Sequence, residues 1–532
     1  MTLALASTIV LVLVSSFVHQ GFYSDPADQL KTDLQYLAGQ SPKPNDRIEP
    51  GPADISRDAR KTLVYYAPGT PLAFLPFLSA GFTPAHAGRI VAVLAIASGS
   101  IGWACWFAGF DLPRSTVIAW ALLVPWLRFS SNSLFLFAPD ITIFATAPWV
   151  LLGALRAERA THARVAAAAA IGLAAGTLYI VKFSATFLTA GIFLWLAWET
   201  WHTDESTASK WQRLGAFAAA AAVPIVALSV MNQRSGGMVN ILVSGHGGVW
   251  HWRFLVDAVG MPALTIADLD SLLSFLVLHP THGLTEDRIW LSVLALPGGA
   301  LLIALLLRGG ERGRNASLAR IVGVTSVVSL LAVWTVASNV SVEARHLASA
   351  GFAMLPLALA EGFAWSRESR APMRRLLAAA AAVFVAAPLA YGVVSVFAKV
   401  WRYPSDYRPG PSGMYNPLLA PRDAAAVVEL LNRDYDPATD LWYLVEPMTY
   451  LDLSGRAIVR HADFMTVSEL REHFLTSRRL RIRALLPAKF EQNGKGEAIR
   501  GSFAGAGGWT RSSVSGAEYD EWTAIVEPGE GR

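Results

Sequence analysis

A single cysteine, Cys105, stands in 532 residues. With one thiol the chain can close no internal disulfide and build no cysteine-based zinc or iron–sulfur site. Charge is also scarce: 16% of residues are Asp, Glu, Lys or Arg, against about 25% in an average soluble protein. Over so long a chain, with 53% hydrophobic residues and a mean hydropathy of +0.39, this shortage excludes a soluble enzyme, a disordered protein and a nucleic-acid binder built on basic patches. The net charge of +4 is small, so the placement of the charges says more than their sum.

That placement divides the chain. Residues 399–532 carry 35 charged side chains in 134 positions, an ordinary soluble density, while residues 1–398 carry only 49. A polytopic membrane region is followed by a soluble domain. Asp, Glu, Lys and Arg are absent from 1–24, 62–88, 90–110, 115–127, 141–155, 165–181, 183–198, 214–233, 289–307, 321–342, 346–360 and 376–398. A spanning helix takes about 20 mostly apolar residues, and snorkelling ends extend the shorter runs. The run at 62–88 holds Pro68, Gly69, Pro71, Pro76, Gly81 and Pro84, so it reads as re-entrant or interfacial. About eleven crossings remain, with 165–198 forming two helices joined by a hairpin at Lys182.

Basic residues in short loops set the orientation. One set of loops holds fourteen of them, from Arg114 through Arg156, Arg159, Arg164, Lys210, Arg213, Arg308, Arg312, Arg314 and Arg320 to Arg367, Arg370, Arg374 and Arg375. The other holds three, Arg128, Lys182 and Arg345. The first set is expected to be cytoplasmic. Residues 1–18 lack a basic n-region and an A-x-A site, so the first span reads as uncleaved. The loops 19–84 and 232–288 and the domain 399–532 then all fall outside a plasma (inner) membrane, which places the work of the protein at its outer surface.

The soluble domain alternates. A helical pattern follows Pro421, with Ala424, Val427, Val428 and Leu431 on one face. Strands are expected at 441–445, 457–460, 482–486 and 522–526, with a further helix near 467–474. This is the pattern of a small α/β domain. It contains no G-x-G-x-x-G, P-loop or nucleophile elbow, so chemistry is sought elsewhere.

The first outer loop opens with an acidic cluster. Asp25, Asp28 and Asp33 follow the first span, and from Pro26 onward the segment can be helical, which brings Asp25 and Asp33 close to one face. A carboxylate partly desolvated at the bilayer surface suits a general base; the same acids could instead cap and solubilise an interfacial helix, Asp25–Pro26 being a good N-cap pair. Asp140, after Pro139, sits at an outer helix end, as a cap or a functional ionisable group. Cations on the outer face run against the positive-inside trend. Lys182, Arg89, Arg345 and His346, the last two in a short outer turn beside Glu343, could grip a phosphate or simply snorkel and pair. His246, His251, His279 and His282 in the middle loop lack a metal-binding spacing, and Trp250 and Trp252 read as interfacial. No metal site is assigned, although a divalent ion stays open as a cofactor.

In order, four passages resemble the GT-C class of membrane glycosyltransferases, which includes bacterial relatives of protein mannosyltransferases and lipid A sugar transferases. SDPADQLKTDLQYLAG is similar to the acidic first-loop motif of that class. YYAPGTPLAFLPF resembles its Y-x-P-G-x-P-L segment, GLAAGTLYIVKFSATFL its G-L-x-x-K hairpin, and VEARHLASAGFAMLPLAL its E-R-Y-L-L-P-A-L-P stretch. The resemblance covers most of residues 1–400. It implies a GT-C-like fold with an extracytoplasmic C-terminal domain, and a polyprenyl-phosphate-linked hexose or pentose as donor. It also implies inverting transfer to a hydroxyl of a lipid, glycan or protein acceptor. On it Asp25 is the first candidate for the base and Asp33 the rival. Lys182 matches the hairpin lysine and Arg345 the arginine of the last motif, where His346 replaces the usual tyrosine; Pro26 stands where a second acid is usual. A transporter or lipid flippase is the competing reading. It predicts ionisable groups at mid-membrane and an internal repeat, whereas the charges here gather at span ends.

Overall fold

The computed structural model describes residues 1–22, 24–38, 54–56, 67–160, 163–236, 256, 259–260, 262–263, 288–309, 313–337, 344–416, 419, 422–460, 462, 465–514 and 517–529. Helices dominate up to residue 402. They are α1 (Thr2–Ser15), α2 (Ser24–Leu37), α3 (Gly69–Ser79), α4 (Pro84–Phe107), α5 (Arg114–Leu123), α6 (Arg128–Ser131), α7 (Asp140–Arg159), α8 (Arg164–Val181), α9 (Thr186–Trp201), α10 (Thr207–Gly236), α11 (Arg288–Arg308), α12 (Arg314–Ala337), α13 (Ala344–Glu368) and α14 (Ala371–Arg402). Among the described residues, five stretches are long and apolar enough to cross a membrane: Pro84–Phe107, Asp140–Arg159, Arg164–Val181, Thr207–Arg234 and Leu347–Glu368. The expected count of eleven is therefore not reached on length and composition alone. α3 is 11 residues long with Pro76 inside it. At 1.5 Å per residue that is about half of a hydrocarbon core.

One expected crossing, 115–127, is broken. α5 stops after ten residues because Pro125 cannot donate to the ladder. The chain goes on through a 3₁₀ turn, Val124–Trp126, the single turn of α6 and a second 3₁₀ turn, Asn132–Leu134. Carbonyls freed inside a membrane need donors. The hydroxyl of buried Ser130 lies 2.8 Å from the Val124 carbonyl and 3.0 Å from those of Pro125 and Leu127. Ser130→Ala removes the donor and leaves the acceptors buried. The expected loss is about 1–3 kcal/mol, read as a lower thermal midpoint in detergent.

The loops with fourteen basic residues meet at one end of the bundle. Buried Glu158 on α7 pairs with Arg314 at 3.0 Å, Glu205 takes Arg164 and Arg213 (the latter at 3.7 Å), and fully buried Glu361 on α13 takes Arg320 at 3.3 Å. These pairs fix the register of five helices, since a buried carboxylate without its cation is strongly unfavourable.

At the opposite end lies the C-terminal domain. Its elements are α15 (Ala424–Arg433), β3 (Asp440–Leu444), α16 (Pro447–Tyr450), β4 (Ala457–Val459), β5 (Leu480–Pro487), α17 (Lys489–Gln492), α18 (Lys495–Gly501), β6 (Ala506–Ser513) and β7 (Tyr519–Val526). The sheet order is β4–β3–β5–β7–β6, with β3 parallel to β4 and β5, and β7 antiparallel to β5 and β6. Strand β3 is buried at every position, as a central strand covered on both faces should be. The helix expected near 467–474 does not form. Residues 467–470 make turns, and Phe474 bridges Phe503. Glu469 takes the Thr466 amide at 2.6 Å, the reciprocal bond of a capping box, but the turn it opens does not continue, and Phe474 donates instead to the Ser502 carbonyl at 2.8 Å.

Two tiny strands, β1 (Gly21–Phe22) and β2 (Leu136–Phe137), tie the first loop to the bundle. In the chain-order numbering of strands they precede the sheet domain, and they pair in parallel, Gly21 with Leu136 and Phe22 with Phe137. The sheet domain then closes over α2: Lys31 donates to the carbonyls of Tyr450 at 3.0 Å and Leu453 at 3.3 Å and lies 4.1 Å from the Tyr450 ring. Further along the same loop, Ile55 donates to Leu475 at 2.9 Å.

Candidate active site

The site is built where these ties converge. α8 ends at Val181, Lys182 caps it in extended conformation, and a 3₁₀ turn, Phe183–Ala185, leads into α9. The hairpin read from the sequence is there. It turns Lys182 toward the first turn of α7, where its ammonium forms an ion pair with Asp140. Asp140 is 3% exposed, so its charge depends on that cation.

Gly69 explains how α3 reaches the hairpin. A Cβ at this position would stand 2.6 Å from Cα of Val181 and 2.8 Å from the Ile180 carbonyl. Both are backbone atoms that cannot swing aside. The glycine of the APGTP passage is thus what lets α3 lie on the end of α8, and Ala67 packs with Tyr179 and Phe183 beside it. Gly69→Ala is expected to cost about 1–3 kcal/mol as overpacking and to displace the peptide that carries Lys182, which thermal unfolding and transfer assays would both register.

The fourth passage reaches the same place. A cavity beside Lys182 is lined by Ile143 of α7, Ser184, Ser326 of α12, and Ser349 and Ala350 of α13. Arg345 and His346 belong to the first turn of α13, not to a turn between spans as expected. Arg345 is one helical turn before Ser349; the side chains of both Arg345 and His346, and all of Glu343, lie outside the described residues.

The acidic helix sits opposite. Both Phe22 and Phe137 are fully buried, and Asp25 and Asp140 each follow this parallel rung by three residues. The side chains of Asp25 and Asp28 lie outside the described residues. Asp33 is described and buried, and its Oδ2 meets no hydrogen-bond partner among the described residues. Burial pushes its carboxyl up to about 8. Gln29, one turn earlier, is also buried, with Oε1 unpartnered among the described residues. Asp25, Gln29 and Asp33, spaced by four, form one polar stripe on α2.

Arg89 does not stand at Lys182. Its guanidinium caps the end of α1, donating to Ser15 at 3.1 Å, Ser16 at 3.2 Å and Val18, the usual service of a cation at a helix C-terminus. Lys399, which the sequence reading passed over, reaches Asn132 and lies 5.2 Å from the Phe135 ring; its signal is a lone cation at the end of the apolar run 376–398. Among the described residues no three His, Cys, Asp or Glu side chains cluster as a metal site, and His246, His251, His279 and His282, with Trp250 and Trp252, lie outside them.

The arrangement has solved counterparts. The chain matches the crystal structure of ArnT from Cupriavidus metallidurans in the apo state over 98% of its own length and 97% of that chain, with a TM-score of 0.53 and 11% identity. It matches the structure of the same protein bound to undecaprenyl phosphate with the same coverage and identity and a TM-score of 0.50. No protein-family model matches the chain, and no curated protein matches it in sequence. At this identity the likeness is one of fold: a multi-pass membrane protein with a GT-C-like glycosyltransferase fold and a small C-terminal sheet domain.

Proposed function

We propose that the protein transfers a sugar from a polyprenyl-phosphate carrier to an acceptor hydroxyl at the membrane face that carries the sheet domain, which the basic loops at the other end make the extracytoplasmic one. One observation carries the reading. The β1–β2 rung and the Gly69 contact gather the acidic start of α2, the Lys182–Asp140 pair and the start of α13 at a single membrane boundary, although they are far apart in sequence. The ArnT structure with undecaprenyl phosphate supports a carrier of that class.

In this reading Lys182, oriented by Asp140, and Arg345 meet the donor phosphate. The acceptor oxygen attacks the anomeric carbon as the bond from that carbon to the phosphate oxygen breaks. The electron pair leaves on the phosphate, where the cations stabilise the growing charge. The proton of the acceptor hydroxyl passes to an aspartate on the opposite face of the sugar, so configuration inverts. Asp25 takes this role by its match to the acidic first-loop motif of the GT-C resemblance. Asp33 is the second reading, favoured by its burial and its raised proton affinity. A carrier tail has an apolar route: along α13, about 9 Å below Ser349, a cavity of about 130 Å³ is lined by Leu301, Leu302, Leu305, Leu355 and Leu359.

The test is to incubate purified protein with a panel of radiolabelled polyprenyl-phosphate hexoses and pentoses, with a cell-envelope extract as the source of acceptor hydroxyls, and follow release of polyprenyl phosphate. Consumption of one donor, dependent on Lys182, is expected. Consumption of none, with lipid moving across a vesicle bilayer instead, would install the flippase reading.

A further inference from the structure

A second basic hollow lies on the same face, around the end of α1 and the start of α4. It is a cavity of about 130 Å³, bounded by Ser16, His19, His86, Arg89 and Gly413 among others. Three cation-capable side chains from two elements thus border one space. Arg89 is held in place there by the α1 carbonyls. His86 is exposed and touches the Thr83 hydroxyl at 2.8 Å through Nδ1, which leaves its Nε2 free of any partner among the described residues. His19 stacks on Tyr403, 6.0 Å away, and tilts against Tyr407 at 5.9 Å. Those rings in turn pack on Tyr415, at 4.7 and 4.8 Å. Among the described residues no carboxylate lines the hollow; the α1 carbonyls that Arg89 caps are the negative groups in its wall.

The hollow also marks the lipid boundary. Phe17, which borders it, is 81% exposed, and Trp401, two residues before Tyr403, is 89% exposed. Large apolar side chains bared at a helix end, one of them tryptophan, belong to the headgroup level of a bilayer. On α14, Val394, Phe397 and Trp401 continue this exposed stripe. A group entering between Phe17 and His86 therefore arrives from the headgroup layer and meets a guanidinium and two imidazoles, with no carboxylate beside them among the described residues.

We propose that this hollow is a phosphate site separate from the one at Lys182, and that it holds the headgroup phosphate of a lipid in the leaflet beside the sheet domain. Arg89 supplies the charge and the imidazoles of His19 and His86 supply N–H donors, and Phe17 and Trp401 flank the acyl chains. The bound lipid fastens the connector that leads from α14 to the sheet domain onto the ends of α1 and α4, because His19 and His86 come from those ends and Gly413 from the connector: the Tyr415 amide donates to the Gln20 carbonyl at 3.0 Å, and the Ala85 amide to that of Ser412 at 3.0 Å. The site needs no transfer reaction, so it stands or falls independently of the proposed function.

Native mass spectrometry of the delipidated full chain tests it. Phosphatidylglycerol is added in one arm, diacylglycerol with the same chains in a second, and phosphatidylglycerol with millimolar inorganic phosphate in a third. One phosphatidylglycerol is expected to bind in preference to diacylglycerol. His86→Gln and the double variant His19→Gln/His86→Gln are expected to weaken that binding about tenfold, as befits the loss of imidazole donors to one phosphate. His86→Gln changes an exposed side chain and keeps the fold, so it answers even where the double variant does not assemble. Equal binding of the two lipids, or unchanged affinity in His86→Gln, would overturn the site. Displacement of the lipid by inorganic phosphate would overturn the lipid source and leave a soluble phosphate as the ligand.

Discussion

Asp25→Asn is expected to lower sugar transfer by about 10²–10⁴-fold, the usual worth of a positioned general base, with the protein still folded and inserted. Asparagine keeps the shape of the side chain and the start of α2, but it cannot take the acceptor proton. The contrast is Asp33→Asn. Asp33 holds its proton up to about 8 because it is buried, so near neutrality it is largely a neutral acid and a poor base. Its pH signature is in stability. An aspartate in an unfolded chain gives up its proton near pH 4. Between about 4 and about 8 the folded state therefore binds more protons than the unfolded one, and stability falls as pH rises through that window. It is greatest below the window and flat above it. Asp33→Asn is expected to abolish this decline and to raise the thermal midpoint at about pH 9. Transfer assays and unfolding scans on both variants separate the two roles. If Asp33→Asn is inactive while Asp25→Asn works, with wild-type activity climbing to a plateau above about pH 8, the base is Asp33.

Lys182→Met is expected to fail twice, in stability and in transfer. The Asp140 side chain is 5% exposed and paired with Lys182. Without that cation the buried carboxylate loses its ion pair, at a cost of about 3–5 kcal/mol. Asp140→Asn combined with Lys182→Met removes both charges and should return most of that stability, because a neutral buried pair carries far less desolvation penalty. It should not return transfer, since the donor phosphate has lost its cation; a deficit of about 10²–10³-fold is expected to persist. Thermal midpoints for the four proteins of this cycle, beside their rates, check both statements. A double variant that regains activity would make the pair structural and move the phosphate elsewhere.

Much of this was legible because membrane sequence obeys few rules. Apolar runs gave the helical bundle, and a lysine between two apolar runs gave the hairpin at Lys182. Strands β3, β5 and β7 lie where apolar, branched and aromatic residues cluster. Other features follow from contacts that no local pattern records. α5 breaks off because Pro125 coincides with a serine six residues after Val124 that can serve the freed carbonyls. Strand β6, AGGWTRSS, has three small residues at its start and forms only because β7 offers it an edge. The stretch around Glu469 makes one capped turn and stops, because Phe474 exchanges backbone bonds with Ser502 and Ala504 far along the chain. That the helix end capped by Arg89 is that of α1, and not its own, is likewise recorded by no local pattern. Even the convergence of the four motif passages rests on Gly69, whose role is to be small.

The interrupted crossing bears on how the chain is made. Ten residues span about 15 Å, half of the hydrocarbon thickness, and three of the ten in α5 are polar, so α5 emerging from the ribosome lacks the apolar length to leave the translocation channel unaided. Its neighbours have already arrived: Ser7 of α1 donates to the Leu122 carbonyl at 2.5 Å and accepts from the Trp126 indole at 3.0 Å. α1, which is synthesised before α5, thus presents the polar contacts that hold this short segment in the bundle.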